Sequence, residues 1–192
     1  MTPRQPSNPL AALARALIAC IAVLIFASQS AGQAWEPSQQ QRDAAQATVE
    51  AYLATTDRGD AVAAYAMHGE ETRAMQPLAD FTESVCAFTA LAGKLVERRF
   101  AHVTWYKDPP DSPALGVYAA FDMIARYANI DRYCGYVMAY QDPKGGDFII
   151  MRVEENYLDN ATAQSMARQG TSPDAFWAEM ASSHCPGWQP EQ

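Results

Sequence analysis

The chain has 192 residues, with 14 Lys and Arg against 22 Asp and Glu, and a net charge of −8 at neutral pH. That balance argues against a nucleic-acid binder, because phosphate contacts need clustered basic side chains. It also leaves no polybasic face for anionic lipid, while the length suits one domain with an ordinary core.

Arg4 and Arg15 are the only charges before Glu36, and residues 16–27 are apolar. Small residues follow at Ser30, Ala31, Gly32 and Ala34. Positive, then apolar, then small is the order of a secretory signal peptide, so residues 1–34 read as a leader cleaved after Ala34, with Gly32 as the other fit. The apolar run is short for a bilayer span; an uncleaved anchor is the alternative reading. Cys20 after Leu17, Ile18 and Ala19 matches a lipoprotein pattern, but the apolar core lies after the cysteine rather than before it. Removing 34 residues from 192 leaves 158, with 12 basic against 22 acidic side chains. The expectation is an exported protein, periplasmic or extracellular, with no membrane span once the leader is gone.

Ser38 and Gln41 have capping-box spacing. Ala45, Val49, Tyr52 and Leu53 then repeat at helical period up to Thr56. Gly59 suits a left-handed helix end, and Asp60 suits the cap of a second helix over 61–67. Residues 68–76 read as a polar connector. Pro77 suits a first helical turn. Leu78, Phe81, Val85, Phe88, Leu91 or Ala92, and Leu95 mark a longer amphipathic helix ending near Glu97. The period then changes. Residues 98–107 are aromatic and branched and read as a strand, and the prolines at 109, 110 and 113 force a loop. Val117, Ala119, Phe121, Met123, Ala125 and Tyr127 alternate along a strand over 116–128. Further strands follow over 133–141 and 147–157, joined by a turn at 142–146. A polar segment after Leu158 leads to a helix over 173–183. Helices first and hairpin-linked strands after give an α+β fold: N-terminal helices on one face of a curved, cone-like antiparallel sheet of four strands, plus a C-terminal helix. The predicted domains are the leader 1–34, an α+β domain 35–159 and a helical tail 160–192.

Residues Asp57, Gly59 and Asp60 with Ala63-Ala64-Tyr65, the run Thr104 to Pro109, the run Gly116 to Ala120, and Arg152 with Glu154 and Glu155 together resemble a bacterial secreted family, domain of unknown function 4019. The resemblance covers about residues 44–158. It implies export and a layout similar to the cystatin-like or nuclear-transport-factor-2-like cone, and it brings no catalytic residues with it.

Beyond Cys20, the cysteines are Cys86, Cys134 and Cys185, which allow one internal bridge and leave one thiol. Cys134–Cys185 is the preferred pair, because it would staple the tail to the sheet; Cys86–Cys134 is the rival. Cys86 lies beside the apolar stripe of its helix and also reads as a buried free thiol.

The candidate ligand site is a polar pocket of Asp122, Arg126, Tyr136, Arg152 and Glu154. Asp122 and Arg126 share a face of one strand, as Arg152, Glu154 and Asn156 share a face of the last strand, opposite Ile149, Met151 and Val153. One register sets Asp122 and Arg126 beside Val137 and Ala139; a one-residue slip sets them beside Tyr136 and Met138. Inside the cone, a buried carboxylate among them would serve as a general base. On a solvated face, the same residues are cross-strand ion pairs. His68, His102 and His184 stand alone, without zinc-site spacing. No nucleophile elbow, P-loop or dinucleotide fingerprint is present, so no catalytic residue, metal or cofactor is assigned. The expected function is a non-enzymatic binding or assembly module of the bacterial envelope. Its partner would be a small ligand or an envelope protein, with a homodimer through the tyrosine-rich sheet face as a further arrangement. The alternative is a small isomerase, lyase or hydrolase using a carboxylate in the cone.

Overall fold

The computed structural model describes residues 35–185. The leader, Cys20 and both cleavage sites lie outside those residues. The chain divides into two units, Met1–Glu36 and Pro37–Gln192, and every regular element described belongs to the second.

Helix α1 (Gln39–Asp57) opens on the expected capping box: Gln41 N–H donates to Ser38 Oγ (3.2 Å), and Ser38 N–H donates to Gln41 Oε1 (3.0 Å). Its buried stripe is Ala45, Val49, Tyr52 and Leu53. Gly59, at φ +72°, turns the chain in the left-handed region that a Cβ disfavours. Asp60 then accepts from Ala63 N–H and starts α2 (Ala61–Ala66).

The connector 68–76, expected to be irregular, contains a short helix, α3 (Glu70–Met75). It has no apolar stripe, because it is held from outside. Thr72 Oγ1 donates to the Met151 carbonyl (2.8 Å), and Gly69 N–H donates to the Ile150 carbonyl (3.1 Å). Helix α4 (Leu78–Ala92) stops short of the expected end near Glu97, since Gly93 at φ +70° breaks it. Leu95, counted in the helical stripe, instead begins β1 (Leu95–Lys107).

The other strands are β2 (Val117–Tyr127), β3 (Ile130–Gln141) and β4 (Ile149–Leu158), and the sheet runs β1-β2-β3-β4, all antiparallel. Asp122 pairs with Tyr136, which selects the second of the two registers considered above. One face of the sheet meets α1, α2 and α4. Val117, Ala119, Phe121, Met123, Ala125 and Tyr127 of β2, with Tyr133, Val137 and Ala139 of β3, pack there against Val49, Leu53, Phe81 and Val85. Each buried Val, Leu, Phe or Met among them contributes about 1.5–3 kcal/mol by leaving water.

The tail packs on the opposite face. The tail forms two helices, α5 (Asn160–Arg168) and α6 (Pro173–His184), where the sequence suggested one. Helix α5 escaped notice because Ala163 is its one buried residue. Its start is fixed by Asp159, which accepts from Thr162 N–H (2.9 Å) and Thr162 Oγ1 (2.6 Å). Trp177, Ala181 and Cys185 close a second small core on Cys134 and Leu158. The bridge is Cys134–Cys185, as preferred, with Cα atoms 6.0 Å apart. Cys86 is free and exposed, so the rival pairing and the buried thiol both fall away: the Cys86 side of α4 faces out, while Phe81 and Val85 face in.

Candidate functional site

The five predicted pocket residues lie on the sheet face turned away from α1–α4, not in the space between helices and sheet. The register puts them there, because core residues take the odd positions of β2 and these take the even ones. Four of them gather. Asp122 lies between His102 and Tyr136, and Tyr136 lies opposite Glu154. The Arg152 guanidinium stands 5.7 Å from the Tyr136 ring centre and 2.9 Å from Glu154 Oε2. Burial raises the Asp122 carboxyl, and His102 offsets part of that. Arg126 stays apart, paired with Glu97 at 3.1 Å in an exposed contact. The cluster is therefore a half-solvated set of cross-strand neighbours with one ion pair along β4, each contact worth about 0.2–1 kcal/mol.

The larger concavity runs over the β4 edge. It is a cleft of about 820 Å³ whose walls include His68, Phe81, Tyr106, Tyr118, Met138 and Met151. Loop residues Pro109 to Pro113 form one rim, and Thr72 to Gln76 the other. Both rims are built by backbone demand. Tyr118 Oη donates to Ala114 O (2.6 Å) and Tyr140 Oη to Leu115 O (2.8 Å), which holds the loop down. Ile150 N–H donates to Met67 O (2.9 Å), which holds the α2–α3 connector on the β4 edge. His68 is buried within that connector. Its ring stands edge-on to Tyr52 (5.2 Å) and Phe81 (5.1 Å). Burial, with the charge of Arg73, lowers its pKa to about 4 against the hydrogen bond with the Tyr65 backbone, so the imidazole is neutral at ordinary pH.

Next to the cleft, and sharing Tyr52, Gln76, Phe81 and Val153 with it, lies an inner cavity of about 280 Å³ between α1, α4 and the sheet. Asp57, Phe88, Tyr127 and Glu155 also line it. Arg98 donates to both oxygens of Asp57 (2.8 Å each) and, through Nη2, to Tyr127 Oη (2.7 Å). Tyr133, wholly enclosed, donates to Glu155 Oε1 at 2.6 Å. Water reaches Glu155 from the cavity, yet protein walls surround it on its other sides; this desolvation raises its carboxyl pKa, while Tyr133 and Arg98 pull the other way. Burial likewise pushes the Tyr127 phenol up to about 12.

Glu155 is the residue that sequence reasoning passed over, although the signal was present. Continuing the apolar alternation of β4 past Val153 places Glu155, a lone carboxylate, on the helix-facing side. Among the described residues, no helix is long and apolar enough to cross a membrane, and no three His, Cys, Asp or Glu side chains are grouped to hold a metal.

The fold and these two cavities define an α+β protein whose helical layer leaves room above the sheet. The chain belongs to a family: the model for Protein of unknown function (DUF4019) matches residues 48–151. No curated protein and no solved structure matches it.

Proposed function

We propose that the protein is an exported binding module of the bacterial envelope that holds a small amphipathic ligand in the cleft over the β4 edge. The cleft carries the reading: about 820 Å³, walled by aromatic rings and methionines with the charged Asp111 and the predicted site residue Arg152 among its polar groups, is the size and chemistry of a ligand site. Export is supported by the leader pattern and by a buried disulfide, which cytosolic proteins rarely keep. The test is a titration with N-phenyl-1-naphthylamine, whose fluorescence rises in apolar surroundings. Saturable binding to the native protein is expected, with loss in Met151→Trp, which fills the cleft. Linear, unsaturable fluorescence in both would overturn the reading.

A second reading, a small enzyme, has one observation behind it: a carboxyl with a raised pKa inside a cavity, hydrogen-bonded to a phenol. In that case Glu155, not Asp122 or Glu154, moves the proton. Glu155→Gln would then retain ligand and lose turnover.

A further inference from the structure

The inner cavity is lined by two carboxylates, Asp57 and Glu155, and the nearby cation, Arg98, is committed elsewhere. Arg98 spends both terminal nitrogens on Asp57 and Tyr127. Glu155 accepts a side-chain hydrogen bond from Tyr133 and belongs to none of the four ion pairs found among the described residues. The cluster of Asp57, Arg98 and ionised Glu155 therefore carries one uncompensated negative charge, and it faces the cavity. Four rings stand in its walls, Tyr52, Phe81, Phe88 and Tyr127, beside the polar Thr56, Gln76 and Ser84. Phe88 stands edge-on to Tyr127 with centres 5.3 Å apart, which fixes the orientation of both.

Charge and walls together select the occupant. A small hydrated metal ion needs several oxygen ligands, but Asp57 is already committed to Arg98, and among the described residues no three His, Cys, Asp or Glu side chains are grouped to hold one. A neutral apolar group leaves the carboxylate unmatched. An organic cation satisfies both, because its charge is attracted to ring faces and to the carboxylate, and a quaternary or alkyl ammonium sheds water readily. The volume of about 280 Å³ corresponds to roughly nine waters in the liquid, enough for a trimethylammonium group and its first carbons. We propose that the inner cavity binds an alkylammonium head group against Glu155, between Tyr52, Phe81, Phe88 and Tyr127, with the remainder of the ligand running into the larger cleft. The proposal rests on the ligand-binding reading above and names the ligand class.

Ionised Glu155 is the binding form. The other titratable groups facing it are Tyr52, Asp57, Arg98, Tyr127 and Tyr133, and His68 across the Tyr52 ring is neutral. Affinity for the cation therefore rises with pH through the Glu155 titration.

The experiment uses choline chloride and its neutral isostere 3,3-dimethylbutan-1-ol, each titrated into the protein and followed by amide chemical shifts. N-phenyl-1-naphthylamine serves as an independent probe of the cleft. Choline should bind at least about tenfold tighter than the isostere. That preference should vanish in Glu155→Gln, fall in Phe88→Leu, and fade toward acid in the unaltered protein. Equal binding of choline and isostere, or a preference that survives Glu155→Gln, overturns the proposal. Should Glu155→Gln not fold, Phe88→Leu and the pH series decide. Dye binding without choline binding refutes the cation alone. Failure of both removes the ligand-binding reading as well.

Discussion

Replacing Cys134 and Cys185 together by alanine should remove about 4 kcal/mol of stability. The bridge closes a segment of 51 residues. Loop-closure entropy for that length is about 14 cal/mol/K, or about 4 kcal/mol at room temperature. The segment contains β4, α5 and α6, and Cys134 and Cys185 are both buried. Without the bridge, α6 keeps the packing of Trp177 and Ala181 on the sheet and the Arg132–Asp174 pair at 2.6 Å. Asp174 is largely exposed, so that pair adds a few tenths of a kcal/mol at most. Urea unfolding followed by circular dichroism reads the loss, and a melting temperature lower by roughly 8–16 °C should accompany it. The m-value should rise, because an uncrosslinked denatured chain exposes more surface. A loss below about 1 kcal/mol with an unchanged m-value would refute the entropic argument. It would mean the denatured chain stays closed without the bridge. A thiol titration checks the pairing on the chain from Trp35 onward: one reactive thiol, Cys86, before reduction, and three thiols after reduction and unfolding.

Further outcomes follow from buried charge and close packing. The neutral imidazole of His68, with its pKa lowered from 6.5 to about 4, makes the unfolded chain the better proton binder between those values. Stability is full above pH 6.5 and is lost as pH falls through that window, by about 3 kcal/mol at the acid end; His68→Phe should flatten that limb in pH-dependent unfolding. Glu155 slopes the opposite way over the range just above 4.5, where its raised pKa favours the folded protein in acid, so Glu155→Gln should steepen the His68 limb. Arg98→Met leaves Asp57, four-fifths buried, without its cation. The expected loss is about 3 kcal/mol, and the double variant with Asp57→Asn should lose less than the two single losses added, as read in a double-mutant cycle. Gly135→Ala would push a Cβ into the Glu154 carbonyl oxygen; a destabilisation of about 1–3 kcal/mol is expected in the same urea assay.

Local grammar predicted most of the fold, because the elements announce their own ends. Ser38, Gln41, Gly59 and Asp60 placed the first two helices through hydrogen bonds to neighbouring backbone. The alternation of β2 identified its core face residue by residue. What stayed hidden was set by distant partners. Helix α3 depends on Ile150 and Met151, far along the chain. A register irregularity between Met138 and Ala139 leaves Met151 unpaired and turns Ile150 into the core, where strict alternation pointed to Ile149 and Met151. The placing of the candidate site turns on the same point. Asp122, Arg126, Arg152 and Glu154 were correctly grouped on shared faces, but which face meets the helices depends on register. The one carboxylate on the helical side stood next in sequence to a residue that was chosen.

The two cores divide the work between them. The inner cavity is lined from α1, α4, β2 and β4 and from Gln76 between α3 and α4, with no residue from α5 or α6. The disulfide and Trp177 belong to the second core on the other face. A desolvated carboxylate and a buried guanidinium both oppose folding unless they are matched, and this protein places them where water still enters. The tail then stabilises the sheet from behind, through Cys134 and Leu158, without touching the cavity. Stability supplied from one face leaves the other free to keep a charge-bearing cavity. It follows that loss of the bridge should lower the melting temperature while choline affinity, measured well below it, stays unchanged.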